Sequence, residues 1–267
     1  MSASDGTQIK NPALYWTDGR RLLYHGDCEL ILSDMLSEYA DLDAQIVVTS
    51  PPYNMGLVPG GNGRGMYRPS ASRKGGRFRD GYGQYSDARP QDEYDDWQRR
   101  ILDLLWQIIP DDGAIFYNHR QRVEHGRIRL PLGMNFGIPL RQVITWDRGT
   151  GIAPNLCHFA PVAEWIFLFA KPAFRLANCG KSGLGDVWRL GMPQKYWHPA
   201  PFPESLPLRA IDSCSARSVL DPFSGSGTTL AAAKRLGIPG VGIEADIGYC
   251  DMTIGRLAQD SLFEVSA

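Results

Sequence analysis

The sequence predicts an α/β protein built on a mainly parallel sheet. Three observations carry that expectation. Short apolar runs alternate with longer stretches of helical spacing along most of the chain, the pattern of strands joined by crossover helices. One apolar run stops at Thr49-Ser50-Pro51-Pro52-Tyr53-Asn54. Another leads into a glycine-rich turn, Asp221-Pro222-Phe223-Ser224-Gly225-Ser226-Gly227-Thr228-Thr229, and the strand after that turn ends in an acid, Glu244.

In chain order, Leu22 to His25 reads as a strand. Asp27 to Tyr39 reads as a helix, with Leu30, Ile31, Met35 and Leu36 at helical spacing. Gln45 to Thr49 is a buried strand stopped by tandem prolines, which cannot continue a ladder. Residues 56–90 are rich in glycine and arginine and too long for an ordinary connection. Asp92 to Ile109 is a helix ended by Pro110, and Ala114 to Tyr117, Arg141 to Trp146 and Glu164 to Ala170 are strands. Lys171 to Tyr196 is expected to be irregular. Ser218 to Leu220 is a strand before the glycine turn, a helix follows to about Leu236, Pro239 to Ile243 is the next strand, and Ile247 to Ala258 a last helix. The chain is expected to form one domain over residues 1–267.

The 267 residues carry a net charge of -1. A domain of this size buries about three quarters of its unfolded surface and needs no staples. The cysteines, Cys28, Cys157, Cys179, Cys214 and Cys250, are scattered without a C-x-x-C pair, and the histidines form no H-x-x-x-H pair. Reduced thiols and no metal are expected. No apolar run approaches the roughly 20 residues of a membrane span. Met1 to Lys10 is polar, without the apolar core of a signal peptide. Residence in the cytoplasm, away from membranes, is the expectation.

A glycine turn between strand and helix lets backbone approach a ligand closely. An acid about 20 residues further on, at the end of the next strand, has the spacing of a ribose-binding carboxylate. The turn lacks the Lys-Ser/Thr of a phosphate-binding loop and the full G-x-G-x-x-G, so a nucleoside cofactor without phosphates fits better than a nucleotide. A purely structural turn is the other reading. The unit needs a third strand, which Leu22 to His25 can supply, and Asp27 then lies beside the cofactor or simply caps its helix. That layout is a circular permutation, with the catalytic half first and the cofactor half last. At the other motif, the prolines stiffen the turn and leave carbonyls free to accept hydrogen bonds, while Tyr53 offers a flat face. A structural turn around a core tyrosine is the plainer alternative.

Together these motifs resemble the β-class amino-methyltransferases of bacterial and phage DNA modification, from about Leu22 to Leu257. Thr49 to Asn54 matches their catalytic motif, Asp221 to Thr229 their cofactor loop and Gly242-Ile243-Glu244 their ribose-binding strand. His198 to Pro203 resembles the segment that packs on the cofactor, and Ile144-Thr145-Trp146 and Glu164 to Lys171 resemble strands of the same family. The resemblance implies a Rossmann-like methyltransferase fold using S-adenosyl-L-methionine. It implies that Ser50 and Pro51 hold the base amine, that Pro52 stiffens the turn and that Tyr53 stacks on a flipped base. It also implies that Phe202, Asp221, Phe223, Ser224, Gly225, Ser226, Gly227 and Thr228 line the cofactor, that Glu244 holds its ribose and that Asp27 lies near its adenine. A base amine is a poor nucleophile because its lone pair is delocalised, so acceptors on both its hydrogens and an in-line methyl donor make the chemistry largely positioning and electrostatics. Ser50 stands where many adenine-specific members carry Asp and is frequent in cytosine-N4 members, whereas Asn54 resembles adenine-N6 members. Adenine is the expected base, with cytosine as alternative. An RNA or protein-amide methyltransferase and a non-catalytic scaffold are the more distant alternatives.

The expected partner is double-stranded DNA, reached by flipping the base out of the stack. Arg64, Arg68, Arg73, Lys74, Arg77 and Arg79 give the 56–90 segment the local charge of a phosphate-contacting loop, or else a solvated insertion. Residues 147–197 are the candidate target-recognition segment. The resemblance makes a homodimer and a cognate restriction enzyme plausible companions.

Overall fold

The computed structural model describes residues 13–38, 44–54, 89–124, 127–134, 136–151, 158–192 and 202–264. An antiparallel pair, β1 (Leu14–Thr17) and β2 (Arg21–His25), precedes α1 (Cys28–Glu38). Next come β3 (Ile46–Thr49), α2 (Gln91–Ile108) and β4 (Ala114–His119). A hairpin, β5 (Arg122–Glu124) and β6 (Arg127–Arg129), leads to the antiparallel pair β7 (Leu140–Asp147) and β8 (Ala163–Ala170). The one-turn α3 (Cys179–Ser182) and β9 (Val187–Arg189) follow. The C-terminal unit is α4 (Ser205–Cys214), β10 (Val219–Asp221), α5 (Thr228–Arg235), β11 (Gly240–Glu244) and α6 (Ile247–Glu264).

The main sheet runs β1-β2-β11-β10-β3-β4-β8-β7-β9. Among the described residues its central pairs β2–β11, β11–β10, β10–β3 and β3–β4, and the outer pair β7–β9, are parallel. The expected α/β, mainly parallel architecture is therefore present. So is the permuted order: β2 pairs with β11 from Arg21↔Gly240 to His25↔Glu244, and an N-terminal strand completes the C-terminal unit.

Side-chain alternation builds three layers. Val47, Ile115, Tyr117, Phe167, Phe169 and Ile243 face α1 and α2. Ile46, Val48, Phe116, Ile144, Ile166 and Leu168 face α4 and α5, and Leu23 packs beneath α6. Strands covered on both faces read as continuous apolar runs, which is why β3 and β4 were legible. Each large apolar side chain fully buried here contributes roughly 1.5–3 kcal/mol. On α2, Tyr94, Trp97, Gln98, Ile101, Leu102 and Leu105 form the buried stripe. The helix stops because Ile109 precedes Pro110 and is held extended, at φ -71° and ψ 140°. Gly242 lets α5 lie close on β11, since a Cβ there would sit 2.8 Å from Leu230 and from Ser224 Oγ.

Several elements depart from the sequence expectation. β1 was not expected, although the Asp18-Gly19 turn beside β2 is a hairpin signal. The β5–β6 hairpin is short and, in β6, exposed at every residue, so no apolar alternation marks it. β9 lies in the stretch expected to be irregular; its three residues depend on the edge of β7 for their pairing. Helix α4 carries Pro207 in its first turn, where a missing N–H is tolerated. The last helix also continues past Ala258, to Glu264.

Candidate active site

The carboxyl ends of the parallel strands β2, β11, β10, β3 and β4 lie along one edge of the sheet, the usual position of a site in an open α/β fold. Because β8 is antiparallel to β4, pairing Asn118↔Ile166 and His119↔Trp165, its first residues return to the same edge. That brings Asp27, Glu244, Asp221, Ser50, Asn118 and Glu164 to one rim.

At the glycine turn, Gly225 has φ 53° and Gly227 φ 77°. A Cβ on Gly227 would lie 2.5 Å from Thr253 Cγ2, so only glycine fits. Glu244 Oε2 accepts from the Gly225 N–H at 2.7 Å, and Oε1 from the Asp246 N–H at 2.8 Å. Each oxygen keeps a further lone pair for a ligand hydroxyl. Burial pushes the Glu244 carboxyl up to about 7, against the two N–H donors, which lower it. Ser224 Oγ is buried against Gly242 and has no hydrogen-bond partner among the described residues.

Asp221 plays another part. It is completely buried, Oδ1 accepting from Thr49 Oγ1 at 2.7 Å and the Phe223 N–H at 3.1 Å, Oδ2 from Thr229 Oγ1 at 2.6 Å. Its carboxyl ties β3, the turn and α5 together, and burial raises it to about 6. Thr228 accepts from Arg256 at 2.9 Å. Ser226 is buried in the turn. Phe223 is edge-on to Trp97, 5.6 Å between centroids. Phe202 packs against the cluster under α4. Asp27 caps α1 through the Glu29 and Leu30 N–H groups, at 2.8 and 3.3 Å, while the neighbouring Gly26 N–H reaches Glu244 O at 2.9 Å. It is a cap standing beside the cofactor rim.

The Pro-Pro turn is held from three sides. Tyr94 donates to Pro52 O at 2.7 Å. With its hydrogen so committed, Tyr94 accepts from His119 Nε2 at 2.9 Å, and His119 Nδ1 accepts from the Arg120 N–H at 2.8 Å. Burial lowers His119 to about 3, so this imidazole stays neutral. The buried Arg122 donates to Tyr53 O at 2.9 Å, to Asn54 O, and to Gln91 Oε1 at 2.6 Å. Asn54, at φ 54°, pairs with the backbone of Arg89 in both directions, at 2.8 and 2.9 Å. The insertion therefore leaves and re-enters the fold at one point. Arg89 itself stacks on Trp97, 4.6 Å from the ring centroid. The DNA-contacting residues expected in that insertion, Arg64, Arg68, Arg73, Lys74, Arg77 and Arg79, lie outside the described residues.

Ser50 Oγ lies 2.6 Å from the Tyr53 hydroxyl, which donates to Glu164 Oε2 at 3.1 Å and accepts from Asn118 Nδ2 at 2.7 Å. The Tyr53 ring, 5 % exposed, leans on His119 at 5.0 Å, so in this state it is tucked in rather than presenting an open face. Sequence reasoning singled out Ser50, Pro51, Pro52 and Tyr53 but assigned no role to Tyr94, Asn118, His119, Arg122 or Glu164, which Arg148 ion-pairs at 3.1 Å. Polar Asn118-His119 closing an apolar strand and Glu164 opening one were available signals; Arg122 gave none. Of residues 147–197, expected as a target-recognition segment, β8 and β9 belong to the main sheet.

The model of the DNA methylase family, covering N6- and N4-amino enzymes, matches residues 44–255. This chain belongs to that family. Similar proteins include the type II methyltransferase M.ScaI of Streptomyces caespitosus, 26% identical with 92% of this chain and 84% of the relative covered. The M2.DpnII methyltransferase of Streptococcus pneumoniae is 27% identical, with 92% and 93% covered. Among solved structures, the PvuII DNA methyltransferase (cytosine-N4-specific) shares the fold at TM-score 0.67, with 17% identity over 90% of this chain and 87% of the other. A DNA modification methylase from Thermus thermophilus does so at 0.61, with 22% identity over 89% and 94%. The methylase fold expected from the sequence is thus the fold observed, and the chain is a DNA methyltransferase of the adenine-N6 or cytosine-N4 type. Among its described residues no helix is long and apolar enough to cross a membrane, and no three His, Cys, Asp or Glu side chains gather as a metal site requires.

Proposed function

We propose that this methyltransferase modifies the N6 amine of adenine within a specific sequence of double-stranded DNA. The observation that carries the reading is the common rim, where the Ser50-Pro51 acceptors and the Glu244–Gly225 cradle are joined through Thr49 and Asp221. S-adenosylmethionine is the cofactor, and when bound it supplies an electrophilic methyl. Glu244 would accept from its ribose hydroxyls, and the turn from Ser224 to Gly227 would hold its amino-acid end. Two structures of similar fold are complexes with that cofactor.

Ser50 and Pro51 accept hydrogens from the base amine and direct its lone pair at the methyl group. With Pro52 O already taken by Tyr94, Pro51 supplies the carbonyl acceptor of the turn. The neutral His119 and the Arg122 clamp keep the turn from adjusting, so little reorganisation accompanies the reaction. Tyr53 swings to stack on the flipped base, returning roughly 1–3 kcal/mol of the flipping cost. The arginines and the lysine of the 56–90 segment contact the DNA phosphates. Residues 147–197 outside the sheet read the target sequence. The names of the relatives as type II methyltransferases support a cognate restriction enzyme, and the family resemblance supports a homodimer.

Cytosine N4 is the second reading, favoured by serine at position 50 and by the cytosine-N4 specificity named for the PvuII enzyme. Product analysis decides between them. The protein is incubated with labelled S-adenosylmethionine and mixed-sequence duplex DNA, which is digested to nucleosides and analysed by mass spectrometry. N6-methyladenine is expected. N4-methylcytosine reverses the base assignment and keeps the chemistry.

A further inference from the structure

The polar floor beneath Ser50 holds more hydrogen-bonding capacity than the catalytic turn needs. Asn118, 2 % exposed at the end of β4, gives Nδ2 hydrogens to Glu164 Oε2 at 2.9 Å and to the Tyr53 hydroxyl at 2.7 Å, and lies 3.4 Å from Ser50 Oγ. Its Oδ1 is buried and has no hydrogen-bond partner among the described residues. Buried acceptors without a donor are rare, and this one lies beside the Ser50–Pro51 turn proposed to hold the base amine. The orientation of this amide is set. Glu164, ion-paired with Arg148 at 3.1 Å, presents oxygens that accept, so Nδ2 rather than Oδ1 must face it.

Asn118 therefore offers an ordered pair: an acceptor in need of a hydrogen, and a donor whose second hydrogen points to the Tyr53 hydroxyl and Ser50. Adenine and cytosine share one edge pattern, an exocyclic amine beside an unprotonated ring nitrogen. Guanine and thymine show the reverse, a carbonyl beside a ring N–H. An amide held with its oxygen toward the amine and its nitrogen toward the ring nitrogen matches the first pattern and opposes like to like in the second.

We propose that Asn118, oriented by Glu164 and Arg148, is the specificity-determining residue that admits amino bases and rejects keto bases. This rests on the base-methylating reading above. In the free site the Tyr53 hydroxyl, between Asn118 Nδ2 and Ser50 Oγ, stands where the ring nitrogen comes; stacking of Tyr53 on the base vacates that position. Asn118 Oδ1 joins Ser50 and Pro51 in accepting the two amine hydrogens. Glu164 is a positioning residue, acting through Asn118. Because the edge is common to adenine and cytosine, Asn118 sets the class of base and leaves purine against pyrimidine to the size of the pocket.

The test uses target duplexes in which the methylated base is replaced by its deaza analogue, carbon standing for the ring nitrogen (1-deazaadenine or 3-deazacytosine). The wild-type protein is expected to lose roughly 10- to 100-fold in kcat/KM on the analogue. Asn118→Ala is expected to lose a similar factor on the natural base and then to lose nothing further on the analogue. Glu164→Gln, which frees the amide to turn over, reduces the wild-type penalty on the analogue in the same direction. Unchanged cofactor affinity in both variants reports an intact fold. An undiminished analogue penalty in Asn118→Ala overturns the inference, and so does the absence of any penalty in the wild type, a comparison needing no variant. Failure of the wild-type protein to methylate any DNA overturns the DNA reading, and this inference with it, before any variant is made.

Discussion

The two ends of the active-site rim are assembled in opposite ways. At the cofactor end, Asp221, Ser224, Gly227 and Glu244 belong to one strand–turn–helix–strand unit, and the Gly225–Glu244 hydrogen bond spans 19 positions. At the base end, the network of Tyr53, Asn118 and Glu164 joins residues 65, 46 and 111 positions apart. The first is a local motif whose geometry follows from which residues tolerate the turn. The second exists only because β8 returns antiparallel beside β4 and delivers Glu164 to the edge where β3 and β4 end. The join between them is a single buried carboxylate, Asp221, gripped by Thr49 from one side and Thr229 from the other.

The comparison is broken most severely at Gly227. Gly227→Ala forces a positive φ on a residue with a Cβ and drives that Cβ into Thr253. A destabilisation of about 2–4 kcal/mol is expected by denaturant unfolding, together with loss of cofactor binding by calorimetry. Retention of wild-type stability shows that the turn has slack.

At the opposite end, Arg122→Ala removes the clamp on the Tyr53 and Asn54 carbonyls. Methyl transfer is expected to fall roughly 10- to 100-fold through misplacement of the turn, while cofactor affinity stays at the wild-type level. If cofactor affinity drops in parallel, the two ends are more tightly coupled through Asp221 than the hydrogen bonds indicate.

The smallest effect is a pH dependence of the cofactor end alone. Burial raises Glu244 from 4.5 to about 7, so the neutral form suits the free fold. The stability this contributes is full below pH 4.5 and is lost as pH climbs toward 7, which lowers Tm across that window. Cofactor binding has the opposite slope, because only the carboxylate accepts both ribose hydroxyls; affinity is expected to weaken up to about tenfold per pH unit below the Glu244 pKa. Glu244→Gln flattens both profiles. A sloping affinity profile in that variant assigns the dependence to another group.

Much of the fold, and the turns on which the candidate site is built, can be read in the sequence, for reasons particular residues make plain. The apolar runs of β3 and β4 announce strands covered on both faces. The Asp221-to-Thr229 turn announces a tight strand-to-helix connection because its glycines take positive φ readily. β9 was missed because its three residues acquire strand geometry from the edge of β7. Asp221 looked like a ligand-facing acid, and the structure uses both its oxygens to lock strand to helix. Tyr53 was recognised as chemical equipment, but its tucked position in the free site depends on His119, Asn118 and Glu164.

The sequence by itself determined the layering, the permuted order of the strands and the places of the proline and glycine turns, because apolar spacing, proline and glycine act on their immediate neighbours. Tertiary structure alone decided what surrounds Ser50. Whether Asn118, Arg122 and Glu164 meet depends on strand direction and on register, and a shift of one residue turns every side chain to the opposite face of the sheet. Burial then completed the site. It keeps His119 neutral, raises Glu244 and leaves Asn118 Oδ1 without a partner among the described residues, consequences of desolvation that no stretch of sequence displays.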